Sequence, residues 1–409
     1  MAEAKSYDVV IIGGGAAGIA TAASMLKRNG DVSLVIVDPS EDHYYQPGWT
    51  MVGGGVFEPQ VTRRAMADVI PSGAQWIQKA ASTFQPEQNQ VTLEDGTQLT
   101  YKVLIVAPGI RLAWEQIEGL EETLGKNGVT SNYRYDLAPY TWELVRNLKN
   151  GRAIFSQPPM PIKCAGAPQK AMYLSCNEWE DRGVLGDIKV EFCNAGGVLF
   201  GVDAYVPALM EYVERYGIDL RLGSKLVSVD GDKKVATFET ADGLDQREFD
   251  MLHVVPPQVA PQFIADSPLA AESGFVDVDQ ATLQHTRYPN IFGLGDAGSM
   301  PNAKTAAAAR KQAPLVAVNA LAVLAGRDPR CEYDGYGSCP LTVERGKIVL
   351  AEFGYGGKLL PSFPSWLIDG TRPARLSWIL KSEILPWVYW NGMLKGHEWM
   401  VKPKESRSA

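Results

Sequence analysis

Cysteine, histidine and long apolar runs are scarce in this chain, and each scarcity narrows what it can do. Five cysteines in 409 residues, without the dense spacing of a cystine framework, suit a reducing compartment in which a disulfide is catalytic rather than structural. The four histidines, His43, His253, His285 and His397, share no metal-ligand spacing with one another or with the cysteines, so no metal site is expected. No window approaches the roughly 18 uninterrupted apolar residues of a membrane span. Excess positive charge is also missing: 39 Lys and Arg against 47 Asp and Glu leave a net charge of -8, without the basic footprint that nucleic acid requires. The opening Met-Ala-Glu-Ala-Lys-Ser-Tyr lacks charged, apolar and cleavage regions, so neither a secretion signal nor a presequence is expected.

What is present is an ordinary globular composition, 45% hydrophobic and 21% charged, long enough for two or three domains. Residues 8–12 read as a short buried strand, followed at once by Gly13-Gly14-Gly15-Ala16-Ala17-Gly18 and an Ala-rich helix ending near Asn29-Gly30. This is a dinucleotide fingerprint in its required context. Gly13 allows the tight turn, Gly15 lets the backbone approach a pyrophosphate, and Gly18 permits close helix-strand packing. A second strand, 33–37, delivers Asp38 to a ribose diol. Two later segments point to a flavin: Val106-Ala107-Pro108-Gly109 after strand 103–105, and Asn290-Ile291-Phe292-Gly293-Leu294-Gly295-Asp296-Ala297. The second resembles the segment that presents an Asp, here Asp296, to a flavin ribityl chain, and the three segments in this order predict FAD. Lys304-Thr305 then opens an Ala-rich helix whose positive end would face the flavin ring.

A second βαβ pattern runs from Gly151: strand 152–155, a helix within 167–180, strand 188–192, and a helix from about 203 to 215. Here the strand leads into Cys193-Asn194-Ala195-Gly196-Gly197-Val198-Leu199-Phe200-Gly201, which does not match G-x-G-x-x-G. The expected electron source is therefore not a nicotinamide. The expected domains are 1–115 with 283–335, 116–282, and 336–409.

Cys164, in Pro-Ile-Lys-Cys-Ala-Gly-Ala-Pro-Gln-Lys, and Cys339, in Tyr-Gly-Ser-Cys-Pro, sit in turns beside proline and small residues, unlike Cys176, Cys193 and Cys331, which read as small buried hydrophobes. A disulfide can be opened by hydrosulfide, leaving a persulfide on one cysteine and a thiolate on the other. Lys163 or the following helix start would favour a Cys164 thiolate. With the His43-Tyr44-Tyr45-Gln46-Pro47 run and an aromatic tail, these segments resemble the sulfide:quinone oxidoreductases over about residues 7–400, in the two-cysteine branch that includes the mitochondrial enzyme.

The resemblance implies an α/β fold of tandem Rossmann-like domains, as in glutathione-reductase-like flavoproteins, with a C-terminal amphipathic membrane-anchoring segment. It implies that Cys339 carries the persulfide, that Cys164 forms the flavin adduct, and that Gln46 and Lys304 lie at the FAD. No cysteine precedes Cys164, which departs from the three-cysteine type and implies non-covalent FAD. The sulfur then leaves to glutathione, sulfite, coenzyme A or cyanide. Glu352-Phe353-Gly354-Tyr355 is similar to the family's Glu-Phe-x-Tyr, so that Phe353 and Tyr355 are expected around a ubiquinone-like ring.

Five of the ten tryptophans, Trp366, Trp378, Trp387, Trp390 and Trp399, fall in residues 366–409. The run 376–395 reads as two short helices broken at Pro386, apolar on one side with lysines at the edges, which is the composition of an interfacial anchor. The expected protein is a monotopic enzyme, docked through residues 366–400 on the cytoplasmic face of a bacterial inner membrane. It oxidises hydrogen sulfide through Cys164 and Cys339 and reduces a quinone; whether it forms a homo-oligomer is left open. The rivals are a type II NADH:quinone oxidoreductase, which needs a nicotinamide fingerprint near 193–201, and a non-catalytic FAD-binding interaction protein.

Overall fold

The computed structural model describes residues 5–403. The β-branched run Lys5–Ile12, buried along its second half, is the centre of a seven-stranded sheet. Leu34–Val37 and Ala74–Ile77 extend the sheet in parallel on one side, and Gln98–Val106 flanks it on the other. Gln98–Val106 pairs in parallel with Ile291–Gly293 and antiparallel with Gln90–Val91-containing strand Gln90–Leu93, followed by Ala81–Gln85. The first sheet thus recruits a strand from nearly 200 residues downstream, because a parallel neighbour needs no hairpin and can be supplied by any returning segment.

A second, five-stranded parallel sheet holds Gly151–Gln157 at its centre, with Ile188–Asn194 and Asp219–Leu222 on one side and Met251–His253 and Val129–Thr130 on the other. Helices Ala167–Asp181 and Val206–Arg215 cover it. After Asn194 the chain makes an Asx turn, with Gly196 N–H on the Asn194 Oδ1 at 2.8 Å, and the next helical turn starts only at Asp203.

The hairpin Gly337–Glu344 and Lys347–Phe353 packs its inner face on this second core. Beyond it, the expected break at Pro386 does not occur. Residues Arg375–Ile379, Leu380–Ile384, Leu385–Trp387 and Val388–Gly392 form one continuous helical run with wide turns on both sides of the proline. Such π-type turns accommodate the missing N–H and the ring without ending the helix. One face of this run is buried: Tyr389, Trp390, Met393 and Leu394 join the core of the first sheet. The opposite face and the loop before it expose Trp366, at 83%, with Leu367, Leu376, Ile379, Ile384 and Trp387. Among the described residues no helix is long and apolar enough to cross a membrane.

Candidate active site

A cavity of about 1020 Å³ opens where the two sheets, the hairpin and the C-terminal helical run meet. One end is the glycine loop. Gly13 has φ +105°, and a Cβ there would lie 2.3 Å from the Ala107 carbonyl oxygen; a Cβ on Gly18 would lie 1.9 Å from the Gly13 oxygen. These approaches pack helix Ala16–Arg28 directly against the strands and aim its N-terminus, which has no side-chain cap, into the cavity. Asp38 accepts the Gly14 N–H at 2.6 Å through Oδ2 and the Ser40 N–H at 2.8 Å through Oδ1. His43, fully buried, bridges Gly14 O (3.0 Å) and the Tyr389 hydroxyl (2.7 Å), and burial holds its imidazole neutral with a pKa near 4.

At the other end stands Cys164. Its φ is +48°, a region a non-glycine residue occupies only when its surroundings over-determine it. Here its N–H donates to Lys304 O at 2.7 Å, its carbonyl accepts the Ala167 N–H at 2.7 Å, and the Tyr133 hydroxyl reaches it at 3.3 Å. The thiol accepts a hydrogen bond from Lys170 Nζ at 3.1 Å. Lys170 lies in the first turn of helix Ala167–Asp181, and helical side chains lean toward the N-terminus, so it reaches back to the residue just before the helix. Lys163, the sequence neighbour, turns away and donates to Gln46 Oε1 at 2.7 Å.

Cys339, 1% exposed, lies behind Cys164 on strand Gly337–Glu344. Gly166 lets the hairpin this close, since a Cβ there would meet Leu341 Cδ2 at 2.3 Å and Cys339 Cβ at 3.7 Å. Both are free thiols in hydrogen-bonding contact. The partner thiol, Lys170 and Lys381 hold Cys164 well below the ordinary thiol range, whereas the Cys164 thiolate and burial push Cys339 up. Lys381, 2% exposed, comes from the C-terminal run; burial lowers its pKa to about 7, and it donates to Pro47 O at 2.9 Å. Lys304, lowered to about 8 by burial, donates to the carbonyls of Asp296 and Gly298 at 2.9 and 2.7 Å. Burial raises the nearby Asp296 carboxyl.

Of the residues singled out from sequence, Gly13, Gly15, Ala16, Ala17, Asp38, Gln46, Ala107, Gly109, Cys164, Gly295, Asp296 and Lys304 line this one cavity. Gly18 and Cys339 support it from behind. Phe353 and Tyr355 do not line this cavity. On strand Lys347–Phe353 it is Leu350 and Glu352 that face the cavity, and side chains alternate along a strand, so Phe353 faces the other way and packs edge-on against Phe200. The Tyr355 hydroxyl is tied to Gln280 O at 2.7 Å. Its apolar lining includes Leu359, Leu360 and Phe363, with Leu380, Ile384, Leu385 and Val388 from the C-terminal run. Lys170 was legible in principle, as a lysine six positions after a cysteine at a helix start. Lys381 was not, because no local pattern brings residue 381 to residue 164.

The cavity fits a flavin dinucleotide. A glycine-rich helix N-terminus suits a pyrophosphate, the volume is at the upper end for small-molecule sites, and Thr50 Oγ1 and both amide atoms of Asn132 lie in its wall buried and without a partner. A match to the pyridine nucleotide-disulphide oxidoreductase family covers residues 7–149. The mitochondrial sulfide:quinone oxidoreductase of Dictyostelium discoideum is 42% identical over 399 residues, 96% of this chain and 87% of the relative.

The chain belongs to the sulfide:quinone oxidoreductase family.

The mitochondrial sulfide:quinone oxidoreductase of Mus musculus is 39% identical, again over 96% of this chain and 87% of its own length. The sulfide:quinone oxidoreductase structure from Aquifex aeolicus superimposes with a TM-score of 0.78 at 20% identity, covering 95% of this chain and 92% of that one, a likeness of fold. As a member of this family the chain is an FAD-dependent oxidoreductase. No group of His, Cys, Asp and Glu among the described residues could hold a metal ion.

Proposed function

We propose that the chain oxidises hydrogen sulfide at the Cys164–Cys339 pair and delivers the electrons through FAD to a quinone. Sulfide oxidation coupled to quinone reduction is the activity of its family. The assignment to these two cysteines is carried by one observation, the contact between Lys170 Nζ and the Cys164 sulfur beside the buried Cys339.

When the pair is oxidised, hydrosulfide attacks one sulfur of the disulfide, a new S–S bond forms there, and the other sulfur leaves as a thiolate. The thiol of lower pKa is the better leaving group. Cys164 is that thiol, so the sulfane sulfur goes to Cys339 and Cys164 departs as a thiolate beside Lys170. FAD, when bound, supplies the two-electron acceptor next to this thiolate. A small nucleophile of the glutathione, sulfite, coenzyme A or cyanide class then takes the outer sulfur from Cys339, leaving both cysteines reduced, and closing them again to the disulfide would release the two electrons that FAD, when bound, accepts.

FAD would be held non-covalently, with Gly13, Gly15, Ala16 and Ala17 available to its pyrophosphate, Asp38 to its ribose, and Gln46, Ala107, Gly109, Gly295, Asp296 and Lys304 to the rest of it. The quinone uses the apolar residues of Leu359–Phe363 and the C-terminal run, with Phe353 and Tyr355 the alternative that the family resemblance supports. Access from lipid is consistent with the exposed Trp366, Leu376, Ile379 and Trp387 on the outer side of that run. Monotopic docking through residues 366–400 and the cytoplasmic face of a bacterial membrane are part of this reading; the relatives above carry mitochondrial names. So is the division into a flavin domain of 1–115 and 283–335, a second domain of 116–282, and a terminal segment of 336–409.

The test follows flavin absorbance of the purified protein, anaerobically, on separate addition of sulfide and NADH and then of a short-chain quinone. Bleaching by sulfide, recovery with quinone and loss of both in Cys339→Ser is the expected result. Rapid bleaching by NADH alone would overturn the assignment.

A further inference from the structure

We propose that Tyr336, oriented by Glu352, donates a proton to the quinone, an assignment that rests on the quinone reading above. Glu352 is a carboxylate only 5% exposed in the wall of a cavity whose apolar lining includes Leu359, Leu360 and Phe363, with Leu380 and Ile384. A buried carboxylate is costly unless hydrogen bonds satisfy it. Glu352 accepts three, from the Tyr336 hydroxyl at 2.6 Å, from the Ser362 N–H at 3.0 Å and from the Ser362 hydroxyl. The hairpin register sets Ser338 opposite Glu352, which brings Tyr336, two residues earlier, onto the same wall.

The arrangement has the parts of a proton relay. Burial and the adjacent carboxylate raise the Tyr336 pKa, so its hydroxyl stays protonated until the quinone oxygen, strongly basic once it has taken up electrons, draws the proton. Ser362 is exposed and connects the carboxylate to solvent. Arg310 and Lys311, from helix Ala306–Leu324, and Asp334 are the charged groups around the ring, with Lys311 Nζ 4.7 Å from its centroid and 2.6 Å from Asp334. Reduction of a quinone to a quinol takes two electrons and two protons. Both electrons and one of the protons would be supplied by FAD when bound. The second comes from Tyr336: its O–H bond breaks, an O–H bond forms on the quinone oxygen, and a solvent proton passing through the Glu352 carboxyl restores the phenol.

The test separates proton-coupled from proton-free electron acceptance. Holoenzyme reduced with sulfide is mixed in a stopped-flow instrument with decylubiquinone or with ferricyanide, which takes electrons without protons, in H2O and in D2O. The expected result in Tyr336→Phe is a fall of about tenfold or more in the ratio of the quinone rate to the ferricyanide rate, the scale of general acid catalysis. The wild-type solvent isotope effect on the quinone rate is lost with it. Glu352→Gln lowers the same ratio by a smaller factor, and it carries the test if Tyr336→Phe does not retain flavin. An unchanged ratio and isotope effect would overturn the relay. Failure of decylubiquinone to re-oxidise the wild type would instead overturn the quinone reading itself.

Discussion

Lys170 directs its ammonium to the Cys164 sulfur at 3.1 Å from one turn inside the helix that Cys164 precedes. The two cysteines are unequal: the neighbouring Cys339 thiol, then Lys170 and Lys381, favour Cys164 as thiolate, and that thiolate and burial disfavour Cys339. Direction in the sulfur chemistry follows from this inequality, since a disulfide opens toward its better leaving group.

Replacing Lys170 with Met removes the cation and returns Cys164 toward the ordinary thiol range. The pH profile of iodoacetamide alkylation of the reduced protein should shift upward by roughly one unit or more, the usual effect of one close opposite charge. Flavin bleaching by sulfide at neutral pH should slow about tenfold in parallel. An unmoved alkylation profile would assign the low thiol pKa to another source.

The buried, neutral His43 gives a stability signature in acid. Its folded pKa, near 4, lies below the unfolded value of about 6.5. The unfolded chain therefore binds a proton that the folded one refuses, and stability present above about pH 6.5 is lost as pH falls toward 4. The loss from this residue is at most roughly 3 kcal/mol, and a thermal melt series should show the melting temperature dropping across that window. In His43→Gln the drop should shrink.

Gly15 and Gly18 should separate flavin binding from folding. A Cβ at Gly18 meets the Gly13 carbonyl oxygen at 1.9 Å, while one at Gly15 meets nothing within 4 Å. Gly18→Ala forces backbone apart at a cost of roughly 1–3 kcal/mol or more, and should yield unstable protein. Gly15→Ala should fold with a near-normal melt and purify with little flavin absorbance, because the methyl group occupies the approach of the pyrophosphate.

The exposed apolar side of the C-terminal run should govern lipid binding alone. Trp366→Ser combined with Ile379→Ser removes large side chains that do not line the cavity. Co-sedimentation with phospholipid vesicles should fall severalfold, while turnover with a short-chain quinone added in solution changes little. Equal loss of both would place these residues in the site instead.

Much of the flavin end was legible because its signals are local. Gly13, Gly15, Gly18 and Asp38 occur at spacings that a strand, a turn and a helix impose, and the missing second fingerprint at 193–201 was as readable as the first. The cysteine pair was legible only through resemblance, since 175 positions separate Cys164 from Cys339 and no periodicity joins them. The reading missed where cross-chain geometry decides. Glu352 was passed over beside Phe353, because a single step along a strand exchanges the two faces and the pattern alone does not say which one meets the cavity. Pro386 was taken as a helix break, although two wide turns absorb it.

By itself, then, the sequence determined the two βαβ units, the glycine loop, the flavin expectation and the apolar tail, all products of short-range sterics and periodicity. Only the tertiary structure decided which lysines reach the thiol, which thiol is acidic, and which wall of the cavity is apolar. Those properties depend on burial and on distances of a few ångströms between residues such as Lys170 and Cys164, and desolvation and Coulomb attraction exist only once the chain has brought the groups together and excluded water.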